Sequence, residues 1–125
     1  MAKWQLDYMM DASFVWFQQT VTRISIATAQ PTNYTDWGTY SVGTLAIGSS
    51  GFTIGNGDSS GRKMTMTPAA TIAVGTSGTV NHVAFVGTSG SGTLLFVGTC
   101  APTSVTSGGT VIVNAWDVDE ITDVA

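Results

Sequence analysis

The chain has 125 residues, 43% of them hydrophobic and only 10% charged, with a formal net charge of −4 and a pI of about 4.4. That length supports one domain with a real core, and the hydrophobic content excludes a disordered chain, which combines low hydrophobicity with high net charge. Its cations, Lys3, Arg23, Arg62 and Lys63, are too few and too scattered to clamp a phosphate backbone, so nucleic acid is excluded as a partner.

Ordinary soluble domains carry roughly a quarter charged residues. A surface this poor in charge must be covered by Thr, Ser, Gly and Asn, or by other protein chains. No apolar run approaches the roughly twenty residues that span a bilayer, so no membrane partner is expected. The start, M-A-K-W-Q-L-D-Y, has neither the apolar stretch nor the small-residue cleavage site of a signal peptide. The expected place of folding is a cytoplasm, and the single cysteine, Cys100, fits a reducing compartment.

Residues 6–19 form the one good helical pattern: Leu6, Met10, Phe14 and Phe17 recur at helical spacing, with Asp7 and Asp11 toward the N-terminal end. Tyr8, Val15 and Trp16 leave its polar side poor. Residues 21–28 alternate, Ile24 and Ile26 against Arg23, Ser25 and Ala27, which predicts a half-buried strand. Residues 30–38, with Pro31, Asn33 and Asp36, read as a loop carrying Tyr34 and Trp37. A strand with a glycine-weakened middle follows at 40–47, and a very short one at 52–54.

Residues 55–61, G-N-G-D-S-S-G, are a plain turn in which Asn56-Gly57 is expected to supply positive φ angles. They lack the G-K-[ST] ending of a phosphate loop and the bidentate Glu of a calcium loop. Strands are expected at 62–67, ended by Pro68, and from Thr71 to Val74. Residues 81–116 then hold three short apolar runs separated by Gly, Ser, Thr and Pro, which predicts a three-stranded antiparallel meander. Its first two strands are apolar on both faces, Val83 and Phe85 against Ala84 and Val86, then Leu94 and Phe96 against Leu95 and Val97, so both faces need cover. One side is expected against the chain's own second sheet or helix, and the other against another subunit. The tail, 117–125, holds half of all the acids and extends the last strand.

Turn signals every eight to twelve residues or so point to a single, mainly β domain over 1–125. The expected fold is an antiparallel β-sandwich or jelly-roll/Greek-key-like barrel, its body at about 21–118, with one N-terminal α-helix. Chemistry is sparse. His82, the only histidine, reads as a structural residue on a strand, and Cys100 as a small buried hydrophobe with no basic neighbour to activate it. Histidine clusters at metal-ligand spacing are absent from the sequence. The paired acids at Asp117, Asp119 and Glu120 sit in a tail rather than a rigid pocket. The expectation is a non-enzyme with no cofactor and no metal. Four tryptophans are many for so small a chain, and tryptophan is enriched at interface hot spots. Trp4, Tyr34, Trp37, Trp116, Val118 and Ile121 are the candidate contact residues.

Several segments together resemble a family of small phage virion proteins: the M-A-K-W start, the early helix, A-Q-P-T-N-Y, F-T-I-G-N-G-D-S-S-G-R-K, V-N-H-V-A-F-V with T-L-L-F-V-G-T-C, and G-G-T-V-I-V-N-A-W-D-V-D-E. The resemblance is to capsid decoration (cement) proteins of tailed phages and runs over nearly the whole chain. It implies a β-rich protein made in the host cytoplasm and carried on the virion, often trimeric. Its partner would be the major capsid protein, whose outer lattice it binds to stabilise the head. A tail or neck structural protein of the same virion is the nearest alternative. A carbohydrate-binding module stacking sugars on Trp37, Tyr34 and Trp16 is another.

Overall fold

The computed structural model describes the backbone of residues 7–58, 61–66, 70–114 and 116–121, and the side chains from Ala12 onward within those ranges except at 117 and 119–121. The chain opens with helix α1 (Asp7–Thr20), close to the span its apolar spacing predicts. Phe14 and Phe17, three residues apart, bury one face at 3% and 8% exposure, while Val15 and Trp16 point outward. The Thr20 hydroxyl donates to the Trp16 carbonyl at 2.7 Å in the last turn. Leu6 lies outside the described residues, as does the Met10 side chain.

Among the described residues nine strands follow: β1 (Arg23–Ala27), β2 (Ser41–Ala46), β3 (Phe52–Asn56), β4 (Arg62–Met66), β5 (Ala70–Ala73), β6 (Gly78–Gly87), β7 (Thr93–Val105), β8 (Thr110–Val113) and β9 (Trp116–Ile121). Sheet one is four-stranded, in the order β2-β1-β6-β7. The facing layer consists of β3-β4-β9 and β5-β8. Its two ladders nearly continue one another: Met66 pairs with Trp116, and beyond the break Ala70 pairs with Val113, an offset of one residue. The layer thus holds two antiparallel ladders in nearly matching register, β4 with β9 and β5 with β8, with β3 beside β4. The mainly β, antiparallel architecture with an N-terminal helix is the one the turn spacing predicts.

Between the layers lies a core of β-branched, Met and Phe side chains. Phe85 is its hub: Phe17, Phe52, Phe96 and Trp116 surround it with ring centroids at 5.4, 5.4, 6.3 and 6.0 Å. The edge-to-face contacts of Phe17 and Phe52 with Phe85 suit aromatic quadrupoles, which disfavour face-to-face sandwiches.

The structure corrects several expectations. Residues 30–38 are not simply a loop: Tyr34–Tyr40 form a second helix, α2, capped by Asn33, whose Oδ1 accepts from the Asp36 N–H at 2.8 Å. That side-chain cap satisfies an otherwise unpaired first-turn donor, which makes so short a helix possible. β1 is not half-buried: Ile24, Ser25, Ile26 and Ala27 are all buried, because α2 covers the face the alternation assigned to solvent. The meander is broken after its first hairpin. β6 and β7 pair as expected, but β8 crosses to the other layer and pairs with β5. The turn at 106–109 redirects it: Gly108 (φ +89°) donates to the Val74 carbonyl and Val74 donates to the Gly109 carbonyl, both at 2.9 Å, which staples the turn to the end of β5. Positive φ in the β3–β4 hairpin falls on Gly61 (φ +73°), not on Asn56-Gly57. The acidic segment is a paired strand, β9, alongside β4 as far as Ile121, rather than a tail prolonging β8.

Candidate interaction surface

The predicted contact residues disperse on folding. Trp4 lies outside the described residues. Trp37, on α2, turns inward: its indole Nε1–H donates to the hydroxyl of Ser25, itself fully buried, at 2.6 Å. Tyr34 packs on Trp37 with centroids 5.0 Å apart and reaches over the β6–β7 turn, where a Cβ on Gly92 would lie 2.5 Å from its ring. The pair is therefore the clamp that holds α2 on the outer face of sheet one. This own-chain helix covers part of the face expected to need another subunit.

Trp116 stacks on Phe85 at 14° between ring planes and stands beside Gly98, and its buried Nε1–H has no hydrogen-bond partner. Val118, 5% exposed, is core. Both spend their area inside the chain. The Ile121 backbone pairs with Arg62, and its side chain lies outside the described residues. Among the described residues, the tryptophan that projects is Trp16, 57% exposed, and the most exposed large aliphatic side chain is Ile112, 62% exposed. A signal for both was in the sequence: Trp16 faces away from the Phe14/Phe17 stripe, and Ile112 alternates with Val111 and Val113, which pack toward the core.

The two layers close differently along their sides. On one side, Gly75 and Thr76 donate to the Val42 carbonyl at 2.7 and 3.3 Å, tying the end of β5 to β2. Gly43 permits that approach, since a Cβ there would lie 2.5 Å from the Ala73 carbonyl oxygen. On the other side, β7 ends sheet one and β8–β9 end the facing layer, and among the described residues no backbone hydrogen bond joins them. Cavities lie along this open seam. One of about 190 Å³ is lined by Phe14, Trp16, Leu95, Phe96 and Val118, and one of about 270 Å³ by Ile26, Val83, Cys100, Val111 and Ile112. A third, of about 500 Å³, lies between Thr103–Thr106 and Thr110–Ile112.

The seam is nearly without charge. The sequence has no Asp, Glu, Lys or Arg between Lys63 and Asp117, so β5, β6, β7 and β8 carry none. Its charge is confined to the acids of β9, and away from it Lys63 meets Asp58 at 2.6 Å and Arg62 meets Asn56 at 2.8 Å, pinning the β3–β4 hairpin. Cys100, expected to be buried, is exposed on a bulge where residues 100–102 face Asn81 alone. The desolvation it does suffer pushes its thiol above the ordinary range. His82 shares a 2.6 Å hydrogen bond with the neighbouring Asn81 side chain. Among the described residues, no group of three or more His, Cys, Asp or Glu gathers to hold a metal ion, and no helix is long and apolar enough to cross a membrane.

No family model, curated protein or solved structure matches this chain.

Proposed function

We propose that this protein is a non-enzymatic structural subunit of a phage particle, a decoration protein that binds the outer surface of the major capsid protein lattice and stabilises the head as a homo-oligomer. The observation that carries the reading is the open seam beside the uncharged strands β7 and β8, flanked by Trp16 and Ile112. Monomeric domains normally guard strand edges with charge, and apolar surface left beside unpaired edges favours burial against protein. The resemblance of nearly the whole chain to small virion proteins supplies the address.

Energetically, each Å² of apolar surface removed from water contributes roughly 25 cal/mol before association costs. Many copies on one lattice add avidity. Of the three residues of the sugar-stacking alternative, Trp37 is held against Ser25 and Tyr34 against Trp37, which leaves Trp16 alone projecting.

Immunogold labelling of phage particles with an antibody against this chain tests the reading. Gold over the head is the expected result. Gold confined to tail or neck keeps the structural role and discards the decoration of the head, and unlabelled particles overturn the proposal.

A further inference from the structure

We propose that Asn56, with Gly57 after it, is a site of spontaneous deamidation that the β3–β4 hairpin holds unreactive for as long as it stays closed. The inference concerns the chemical lifetime of the chain and does not depend on the particle it serves.

The chain has four asparagines, Asn33, Asn56, Asn81 and Asn114, followed by Tyr, Gly, His and Ala. An asparagine is open to attack at its own side-chain Cγ by the backbone nitrogen of the next residue. That nitrogen gives up its proton to solvent, its bond to Cγ closes a succinimide ring, and the Cγ–Nδ2 bond breaks to release ammonia, which takes up a proton. Water then opens the ring at either carbonyl and leaves aspartate or isoaspartate. A side chain on the following residue crowds the attacking nitrogen, and glycine has none. Asn56 is thus the asparagine that the sequence best places for this chemistry, and it is exposed to the water that completes it.

The closed hairpin restrains the attacking and the attacked group alike. The Gly57 N–H donates to the Gly61 carbonyl at 2.9 Å, which commits the nucleophile across the turn. The Asn56 side-chain oxygen accepts from the Arg62 guanidinium at 2.8 Å, which fixes the amide that must swing toward Gly57. Asn56 and Arg62 are also the last paired positions of the β3–β4 ladder. Ring closure needs a rotation of the Asn56 backbone out of the extended region that this pairing holds. These restraints are local and lie at a hairpin end, so they release together when the hairpin opens, without loss of the core. The isoaspartate product routes the main chain through a side-chain carbon. It adds a backbone atom to a ladder whose register admits none, so each event is a one-way record of opening.

The test incubates the full chain at neutral pH, folded in buffer and unfolded in guanidinium chloride, and follows each asparagine by peptide-mapping mass spectrometry. The expected result is conversion at Asn56 at least roughly tenfold faster in the unfolded chain than in the folded one. Within the unfolded sample Asn56 reacts ahead of Asn33, Asn81 and Asn114, and Gly57→Ala slows it. Arg62→Ala, with its fold checked by circular dichroism, speeds the folded-state reaction. Equal rates in the folded and unfolded wild type overturn the proposal, and that comparison decides alone if Arg62→Ala does not fold. An unfolded chain in which Asn56 reacts no faster than the other asparagines, or in which Gly57→Ala changes nothing, overturns it as well. So does a folded Arg62→Ala chain that reacts no faster than wild type, because the guanidinium then does not restrain the amide.

Discussion

Trp37 illustrates how a single side chain changes its meaning on folding. As a sequence feature it is an aromatic in a polar segment, suited to a partner; in the fold its N–H satisfies a hydroxyl with no access to water. Trp37→Phe keeps the ring and orphans Ser25, a loss of about 1–3 kcal/mol in chemical denaturation. Ser25→Ala added to it recovers part of the loss, because the buried hydroxyl then has nothing left to satisfy. Additive losses in that double variant show that the bond carries no stability. Cys100 yields a prediction of the opposite kind. Its thiol, exposed yet raised in pKa by desolvation, alkylates slowly at neutral pH. The rate climbs with pH to a midpoint above the ordinary thiol value of about 8.5, because the thiolate is the nucleophile. A midpoint below that value requires a stabilising charge that the described surroundings do not provide.

At the scale of elements, side-chain space at glycines decides where strands meet. Gly43 has no room for a methyl group against the Ala73 carbonyl, whereas Gly48 opens onto empty space. Gly43→Ala forces β2 away from the end of β5 and costs about 1–3 kcal/mol. Gly48→Ala, in extended backbone at φ −137°, changes stability by no more than about 0.5 kcal/mol in either direction. Thermal melts of the pair distinguish this close approach from a general intolerance of side chains in the loops. The broken meander belongs to the same scale. Each run between residues 81 and 116 is a strand, as β-propensity and turn residues predict, but propensity does not name a strand's neighbour. The partner of β8 is set by hydrogen bonds between the turn at 106–109 and Val74, a residue more than thirty positions earlier.

For the whole molecule, Phe85 is the point through which α1, β3, β7 and β9 are held together. Phe85→Ala removes the hub of that cluster and costs about 3–5 kcal/mol, read as a fall in the denaturation midpoint common to tryptophan fluorescence and far-ultraviolet circular dichroism. Two separate transitions instead indicate that the helix and the sheets unfold independently. The electrostatic character of the molecule yields a further expectation. A contact made through β7 and β8, which have no charge, binds a particle with affinity that holds or rises as salt increases, since screening only relieves the mutual repulsion of acidic copies. Binding lost steeply with salt, in a particle pull-down, assigns the contact to the acids of β9 instead.

The sequence by itself determined the strand and turn inventory, the N-terminal helix and the poverty of charge. These follow from local chemistry: β-branched runs, glycine and proline punctuation, the Phe14/Phe17 spacing, and an amino-acid count. It also marked α2 faintly, through Asn33 and the acid three residues later, a cap signal obscured by the surrounding turn residues. Tertiary structure alone decided which aromatics face outward, because exposure depends on what packs over a residue from elsewhere in the chain. α2 draws Trp37 onto Ser25 and the crossing of β8 carries Trp116 onto Phe85, while Trp16 and Ile112 receive no cover. The open seam has the same origin. It lies between β7 and β8, which are neighbours in sequence, and exists because hydrogen bonds to Val74 are satisfied in the opposite layer.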